Sequence, residues 1–414
     1  MVLLDQLFRR LIRSGSLAVT WPSGRRSLYE GSEPSKRHSA VRIKTRAAAI
    51  RLALNPELAA GEAYMAGDLE IEDGDIRQLL DLILYNMRWE RKNPGRHLTG
   101  GRRHWLTRFA EANGRMRARR NVAHHYDLSD RLYQLFLDDD RQYSCAYFFD
   151  PTNDIDTAQE DKKAHIASKL LLKPGQRVLD IGCGWGGMAL YLNRIADVDV
   201  VGITLSDEQL VVCRERARQA GVANRVRFEK LDYREVTGTF DRIVSVGMFE
   251  HVGRPKYARF FETVAERLDP AGVALIHTIG RADGPGETDA WTRKYIFPGG
   301  YSPALSEIMP AIEHAGLWST DIEILRLHYA YTLERWYDRV QAAKGEIEKL
   351  YDARFFRMWS FYLASAITAF RHGGHCNFQI QLAPRRDTVP ITRRYMERTE
   401  DQYLSRRNWL EAAE

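Results

Sequence analysis

Cysteine is scarce in this chain of 414 residues, and none of the four forms a Cys-x-x-Cys pair. Zinc sites and disulfide frameworks depend on closely or regularly spaced cysteines, so the sequence predicts neither, and we expect no metal site. A reducing cytoplasm is the expected location of such a protein. The four residues are Cys145, Cys183, Cys213 and Cys376.

Long apolar runs are also missing. No stretch approaches the roughly 18 consecutive apolar residues that a membrane-spanning helix requires. The N-terminus begins with apolar residues, but Asp5 and Arg9 interrupt them too early for a signal peptide. Its apolar side chains share one helical face, which we expect to pack on its own domain, with a membrane surface as the alternative. They are Leu3, Leu4, Leu7, Phe8, Leu11 and Ile12.

Positive charge is concentrated in residues 88–120. This segment has eleven Lys or Arg against two Glu, a net charge of +9, whereas the whole chain has +6. Pro94-Gly95 and Gly100-Gly101 indicate turns, so we interpret it as a basic linker between an N-terminal α/β domain (1–87) and a catalytic domain (121–414). It is either a solvated tether or a surface for an anionic partner, nucleic acid or membrane, and charge alone does not choose between them.

A glycine loop is the most informative motif. The apolar run 177–181 predicts a buried strand that leads directly into Gly182, Gly184 and Gly186, with a helix beginning near Met188. Glycines allow a sharp turn and close approach of the backbone to a ligand. Strand, glycine turn and helix together indicate the opening unit of a nucleotide-binding fold.

The type of nucleotide follows from the residues around the loop. A dinucleotide site requires an acidic residue about 20 positions further on, at the end of the second strand. The second strand here, near 198–203, ends in Thr204. Asp180 lies just before the glycines, where it can fix the loop or reach an amino-acid-like ligand. The pattern therefore favours S-adenosylmethionine (SAM) over NAD.

Strands and helices alternate after residue 177, which predicts a Rossmann-like, doubly wound α/β fold with a parallel sheet. Ligands of such sheets bind at the carboxyl ends of the strands, so we expect five strand ends to form one cleft. Taken singly, their residues also have structural explanations: Glu250 as an acid at a helix N-terminus, His277 as a core histidine, Cys145 as a small buried side chain, Tyr329 as packing. The predicted strands lie near 177–181, 198–203, 225–229, 240–246 and 272–279.

Seven motifs in one order identify a family resemblance. Together they resemble the cyclopropane fatty acyl phospholipid synthases and their mycolic acid relatives, which have a class I SAM methyltransferase domain. Residues 1–87 also resemble the small N-terminal domain of the phospholipid enzymes. The motifs are Asn121–Ser129, Gln142–Phe148, Gly182–Gly187, Gly202–Ser206, Phe249–Gly253, His277–Gly280 and His328–Leu333.

The resemblance implies an activity and a set of site residues. A cis double bond in a phospholipid acyl chain attacks the methyl of SAM, and the resulting carbocation loses a proton to a bound bicarbonate and closes to a cyclopropane. The resemblance implies that bicarbonate is held by Cys145, Glu250, His277, the Ile279 backbone and Tyr329. It implies that SAM is held by Tyr143, Ser144, Gly182, Gly184, Gly186, Thr204, Gln209 and Tyr233, to which position adds Asp180.

The resemblance also implies a homodimer at the inner face of the membrane and no nucleic-acid partner. One departure is Ala366, where the family usually has a cysteine. This difference argues against a covalent cysteine mechanism and leaves open a variant that adds a methyl without ring closure. A protein that binds lipid surfaces without catalysis is a further alternative.

Overall fold

The computed structural model describes residues 2–88 and 128–411 and divides the chain into two compact units. The smaller unit comprises 1–100, 287–298 and 330–375, and the larger unit comprises 101–286, 299–329 and 376–414. The predicted linker from residue 89 onward and the motif 121–127 lie outside the described residues.

The smaller unit contains a four-stranded sheet in the order β2-β1-β3-β4. Strands β1 and β3 are parallel, and the outer pairs are antiparallel. The strands are β1 (Ser14–Thr20), β2 (Arg26–Glu30), β3 (Glu33–Ile43) and β4 (Leu69–Asp73).

Helices complete the smaller unit. Capping side chains fix two of the starts: Thr45 accepts a hydrogen bond from Ala48 N, and Asp75 from Gln78 N. The helices are α1 (Val2–Leu11), α2 (Arg46–Leu54), α3 (Pro56–Ala66), α4 (Ile76–Asn86), α10 (Ala290–Tyr295), most of α12 (His328–Ala342), α13 (Lys344–Leu350) and α14 (Ala353–His372).

The larger unit is built on a seven-stranded sheet in the order β10-β11-β9-β8-β5-β6-β7. Five consecutive strands of this sheet, from β9 to the edge strand β7, are parallel, and most side chains of β5, β6, β8 and β9 are buried, as expected where a sheet is covered on both faces. The strands are β5 (Arg177–Ile181), β6 (Asp199–Thr204), β7 (Val226–Lys230), β8 (Phe240–Val246), β9 (Leu268–Arg281), β10 (Trp318–Leu325) and β11 (His375–Ala383).

Seven helices of this unit are described in addition to three short 3-10 turns. One of the turns, Phe249–His251, follows β8 and carries a predicted site residue. The helices are α5 (Asp130–Phe136), α6 (Ile155–Lys169), α7 (Gly187–Ala196), α8 (Asp207–Gln219), α9 (Tyr257–Arg267) and α11 (Leu305–His314), with α15 (Arg394–Glu411) at the C-terminal end.

The doubly wound prediction is confirmed, and each of the five expected strands is present within four residues of its predicted bounds. The five predicted strands are parallel to one another, as expected, and β10 and β11, which were not predicted from the sequence, form an antiparallel pair at one edge. Within 2–88 and 128–411, no helix combines the length and apolar character needed to cross a bilayer.

Candidate active site

An open cleft of about 1170 Å³, including its mouth, lies at the carboxyl ends of β5 to β8. Residues that follow each of these four strands line it, as the topology of a parallel sheet requires. Eight of the nine predicted cofactor residues line the cleft: Tyr143, Ser144, Asp180, Gly182, Gly184, Thr204, Gln209 and Tyr233.

Gly182 and Gly184 both have a positive φ, which favours glycine, but a side chain would also be obstructed by a neighbouring residue at Gly182. Gly182 has a φ of 81°, and a Cβ there would lie 2.8 Å from Met248 Cβ. Gly184 has a φ of 55°, and a Cβ there would meet no atom within 4 Å. The ninth residue, Gly186, caps α7 with a φ of 85° and packs against Phe228, and it is outside the cleft lining.

Asp180 is the charged group closest in sequence to this loop. Its side chain is buried, and Oδ2 has no hydrogen-bond partner among the described residues. Burial raises the pKa of Asp180 to about 7, although the positive charge of Lys162 acts in the opposite direction. An unpaired carboxyl oxygen in a cleft wall is suited to receive a donor from a bound ligand.

The second strand ends in a neutral hydrogen-bonded pair. Thr204 Oγ1 donates to Gln209 Oε1 at 2.8 Å and accepts from Ser206 N at 3.2 Å. At the end of β7, Asp232 is buried and paired with Arg234, with Nε to Oδ1 at 2.7 Å. The next residue, Tyr233, packs edge-on against Phe260, and burial raises its pKa to about 12.

The segment carrying Tyr143 and Ser144 is held in place by polar residues of α6 that the sequence did not single out. Lys162, fully buried, donates to Gln142 Oε1 at 2.6 Å and to Ser144 Oγ at 2.9 Å. Gln159 donates to the backbone carbonyls of Gln142 and Ser144, both at 3.0 Å. Adjacent lysines in a helix, such as Lys162 and Lys163, usually face solvent, so nothing in the sequence indicated that Lys162 is buried and holds this segment.

Glu250 lies in the 3-10 turn after β8. Its Oε1 accepts the backbone N–H of Ile279 at 2.5 Å, and its Oε2 has no partner within the described part of the chain. Burial raises the pKa of Glu250 to about 7, and the Ile279 hydrogen bond partly offsets this effect. At neutral pH this carboxyl is therefore close to half protonated, which suits a group that exchanges a proton.

His277 lies two residues before Ile279 on β9 and is 1% exposed. Burial, with the charges of Lys162 and Lys169, holds its pKa well below the usual range, so the ring is neutral. Its backbone carbonyl accepts from Gly247 N at 2.9 Å, which ties β9 to the loop that lines the cofactor cleft. We refer to Glu250, His277 and Ile279, which the family resemblance predicts to hold an anion, as the anion pocket.

The other two predicted residues are buried, at 1% for Cys145 and 7% for Tyr329. Cys145 follows Ser144 directly and donates from Sγ to the Ala146 carbonyl at 3.3 Å. Tyr329 lies in the first turn of α12, one residue after His328, whose Nδ1 accepts from Phe148 N at 3.0 Å. The Tyr143–Phe148 segment and the start of α12 are therefore linked by this hydrogen bond.

A further cleft residue, His251, was recognised only as part of a motif. It lines the cleft beside Met248 and Val252, and burial lowers its pKa to about 4, so it is neutral. The position directly after Glu250 was the available signal, but a histidine beside an acid is too common to assign alone.

Comparison with known proteins is consistent with this geometry. The family model described as mycolic acid cyclopropane synthetase matches residues 113–380, and a domain of unknown function (DUF7884) matches residues 3–90. The first match covers more than half of the chain. This chain belongs to the mycolic acid cyclopropane synthetase family.

This chain is similar in sequence to two named relatives and in structure to one solved family member. A probable fatty acid methyltransferase of Pseudomonas putida is 42% identical over 260 residues, which is 61% of this chain and 66% of the relative. A cyclopropane-fatty-acyl-phospholipid synthase of Escherichia coli K12 is 44% identical over 247 residues, 60% of this chain and 63% of the relative. The matched region thus spans slightly less than two thirds of each relative.

The solved structure is the mycolic acid cyclopropane synthase CmaA1 in complex with SAH and CTAB. It is 32% identical, with a TM-score of 0.61, and the match covers 64% of this chain and 97% of that one. The fold is that of the class I SAM-dependent methyltransferases, as the family resemblance implied.

Proposed function

We propose that this chain is a SAM-dependent methyltransferase that adds a methylene to the cis double bond of an unsaturated acyl chain in a membrane phospholipid, forming a cyclopropane. The observation that carries the proposal is the adjacency of the cofactor cleft and the anion pocket along one sheet edge. Gly247 N, in the cleft lining, donates to the carbonyl of His277 in the pocket.

The cleft fits SAM in its donor set and in its free space. Asp180 supplies an unpaired buried carboxyl oxygen toward an amino-acid-like ligand, and Gly182 and Gly184 leave the loop without side chains. Tyr143 and Tyr233 offer aromatic faces, which suit a sulfonium cation. When bound, SAM supplies an electrophilic methyl group; the residues of the chain position the acceptor and exclude water.

The anion pocket fits a small oxyanion such as bicarbonate. The neutral His277 ring can donate one hydrogen, and Glu250 at a pKa of about 7 can hold or accept another. Bicarbonate, when bound, would accept the proton that is lost before ring closure. Because an alkene needs no base to become a nucleophile, we assign no residue that activates the acceptor.

A second outcome has its own support. The Pseudomonas putida relative is named a probable fatty acid methyltransferase, and Ala366 replaces the usual cysteine of the family. Methyl addition without ring closure would leave a methyl-branched or methylene product that keeps a double bond, because the cation still loses a proton. Glu250, His277 and Tyr329 are retained, and both outcomes use the proton acceptor that the anion site would hold, so the product distinguishes them.

The proposal includes the surroundings of the enzyme. The resemblance and the basic segment 88–120 support a cytoplasmic enzyme at the inner face of the membrane, with anionic lipid as the partner of the segment. Family resemblance supports a homodimer. Sedimentation with vesicles of different charge and light scattering of the purified protein test these two points.

The decisive experiment incubates the purified protein with SAM and vesicles of cis-monounsaturated phosphatidylethanolamine and phosphatidylglycerol. Fatty acid methyl esters are then separated by gas chromatography with mass detection, and fully saturated vesicles serve as the control. We expect a product heavier by one methylene that has lost its alkene, and a slower reaction in buffer depleted of bicarbonate.

Three other results would contradict parts of the proposal. A product that gains a methyl but keeps an alkene supports methylation without closure. Consumption of SAM with equal rates on saturated and unsaturated vesicles contradicts the substrate assignment. An unchanged alkene with no consumption of SAM contradicts the enzymatic function.

A further inference from the structure

We propose that Gln379 and Lys169 are positioning residues that fix His277 as the neutral tautomer with its hydrogen on Nε2, so that His277 is a donor in the anion pocket. The role of this donor rests on the proposed function, but the tautomer itself is a property of the resting protein. No motif identified these two residues, since they lie in a buried strand and a helix end.

The first step is the contact with the ring. Gln379 Nε2 lies 3.1 Å from His277 Nδ1, and both side chains are 1% exposed. A primary amide nitrogen only donates, so Nδ1 must be the acceptor and carries no hydrogen. In a neutral imidazole the hydrogen is then on Nε2.

The second step is the orientation of the amide, which Lys169 determines. Lys169 Nζ donates to Gln379 Oε1 at 2.6 Å. Reversing the amide would bring its NH2 group against an ammonium group, placing donor against donor. The oxygen of Gln379 therefore stays on the lysine and its nitrogen stays on the histidine.

The third step is the charge of Lys169, which is 2% exposed. Its ammonium also donates to Glu323, the residue directly opposite Gln379 in the β10–β11 register. Burial opposes ionisation of Glu323, but the hydrogen bond from His165 and the positive charge of Lys169 lower its pKa. Burial lowers the pKa of Lys169, whereas the ionised Glu323 acts in the opposite direction and favours the charged ammonium in this buried position.

His165 connects the same group to α15. Its Nε2 lies 2.7 Å from Glu323 Oε2 and its Nδ1 lies 2.8 Å from Glu400 Oε1. The amide of Gln379 is thus held by a hydrogen-bonded chain of Lys169, Glu323, His165 and Glu400. Such chains fix one arrangement of hydrogens when every member has a partner.

The other ring nitrogen of His277 faces Asn377. Asn377 Nδ2 lies 3.4 Å from Nε2, and its Oδ1 has no hydrogen-bond partner among the described residues. Exchanging the two amide atoms would let Oδ1 accept the Nε2 hydrogen. The hydrogen is on Nε2 because Nδ1 is already occupied as an acceptor, and only the exchanged orientation of Asn377 avoids placing donor against donor.

The charged groups around the ring favour the neutral form. Lys162, Lys169 and His165 on α6 all lower its pKa, and Glu323 on β10 raises it by a smaller effect than burial lowers it. Glu250 lies in the 3-10 turn after β8, where its carboxylate accepts a hydrogen bond from the backbone N–H of Ile279 on β9. We therefore expect no imidazolium form of His277 at neutral pH.

The test is a nitrogen-15 spectrum of the full-length protein labelled at its histidine rings. Long-range proton–nitrogen correlations distinguish the Nε2–H tautomer, the Nδ1–H tautomer and the imidazolium form. His277→Gln identifies the His277 signals by their disappearance. We expect the wild type to show Nε2–H only, from pH 6 to pH 8.

Two variants change this state in a defined way. Gln379→Glu replaces the donor with a carboxylate, so we expect His277 to become Nδ1–H or imidazolium and product formation to fall at least about tenfold. The KM for SAM should stay within about twofold, since Gln379 does not line the cleft. Lys169→Met releases the amide, and we expect two tautomers or exchange-broadened signals.

Gln381→Glu is the matched control, because Gln381 lies two residues further along the same buried strand. It donates to the Lys169 carbonyl and to Tyr395 Oη at 2.7 Å, so it can lose stability without altering the ring. A wild-type Nδ1–H tautomer, an unchanged Nε2–H pattern in Gln379→Glu, or the same change in Gln381→Glu would overturn the inference. An Nε2–H pattern in a protein without methyltransferase activity would support the inference and contradict the proposed function.

Discussion

The glycine loop and the anion pocket lie at neighbouring strand ends of one sheet, yet they are built differently. The loop is made by consecutive residues, 182 to 187, and its shape comes from backbone angles that only glycine adopts readily. The anion pocket is made by side chains and one N–H from separate segments, around residues 250 and 277–279. The loop is a local structure, whereas the pocket exists only when β8 and β9 are paired.

The two regions nevertheless use the same electrostatic device. Asp180 beside the loop and Glu250 in the pocket are both buried carboxyls, each with one oxygen that lacks a protein partner in the described structure. Burial raises both pKa values to about 7. The difference is that Glu250 has a backbone donor on its other oxygen. We expect the Glu250 carboxyl to serve the reaction and the Asp180 carboxyl to serve the cofactor.

The largest effect is expected for Glu250→Gln. It keeps the size of the side chain but removes its ability to accept a proton, so cyclopropane formation should fall about 100-fold or more. SAM affinity, measured by calorimetry, should change less than about twofold. Glu208→Gln, at an exposed position on α8, is the control that should retain full activity. Loss of SAM affinity in Glu250→Gln would mean that the pocket and the cofactor cleft are not separable.

Asp180→Asn should change how stability depends on pH. The folded pKa of about 7 exceeds the ordinary value of 3.8, so the wild type loses stability through Asp180 as pH rises from about 4 to 7. The loss is roughly 1.4 kcal/mol per pH unit within this window. Asp180→Asn removes this loss. In urea unfolding experiments, the unfolding free energy of the variant should therefore rise relative to that of the wild type between pH 5 and pH 7. A constant difference across this range would show that Asp180 is ionised throughout.

Gly182→Ala and Gly184→Ala form a matched pair within the loop. Alanine at 182 combines a positive φ with a 2.8 Å approach to Met248, whereas alanine at 184 meets no protein atom within 4 Å. We expect SAM affinity to fall about tenfold or more in Gly182→Ala. The loss of unfolding free energy should be smaller in Gly184→Ala, about 1 kcal/mol, than in Gly182→Ala. Equal losses of stability in the two variants would argue that only backbone strain matters.

The smallest effect is expected for Ala366→Cys. The family resemblance implies a cysteine at this half-buried position on α14, but the proposed chemistry needs no thiol. Product formation should change less than about twofold, measured on the same vesicles. An increase of tenfold, or a switch in product, would mean that the thiol contributes to the outcome of the reaction.

The local features were accessible from the sequence because their signals are local. Apolar runs gave the five parallel strands, and the glycine spacing with Asp180 gave the cofactor loop. The pair β10–β11 was missed since nothing in its own residues indicates antiparallel pairing at the far edge. Lys162, Lys169 and Gln379 were missed for a related reason: a buried lysine looks like a surface lysine until its partners are known.

By itself the sequence determined the five parallel strands, the glycine loop and the resemblance to the family to which this chain belongs, because periodicity and turn residues act over a few positions. Only the tertiary structure decided which side chains share the anion pocket and in what state. Burial sets the pKa of Glu250, and a lysine 108 positions before His277, acting through Gln379, sets the hydrogen on its ring. These effects depend on distance in space and on the exclusion of water, which no local pattern records.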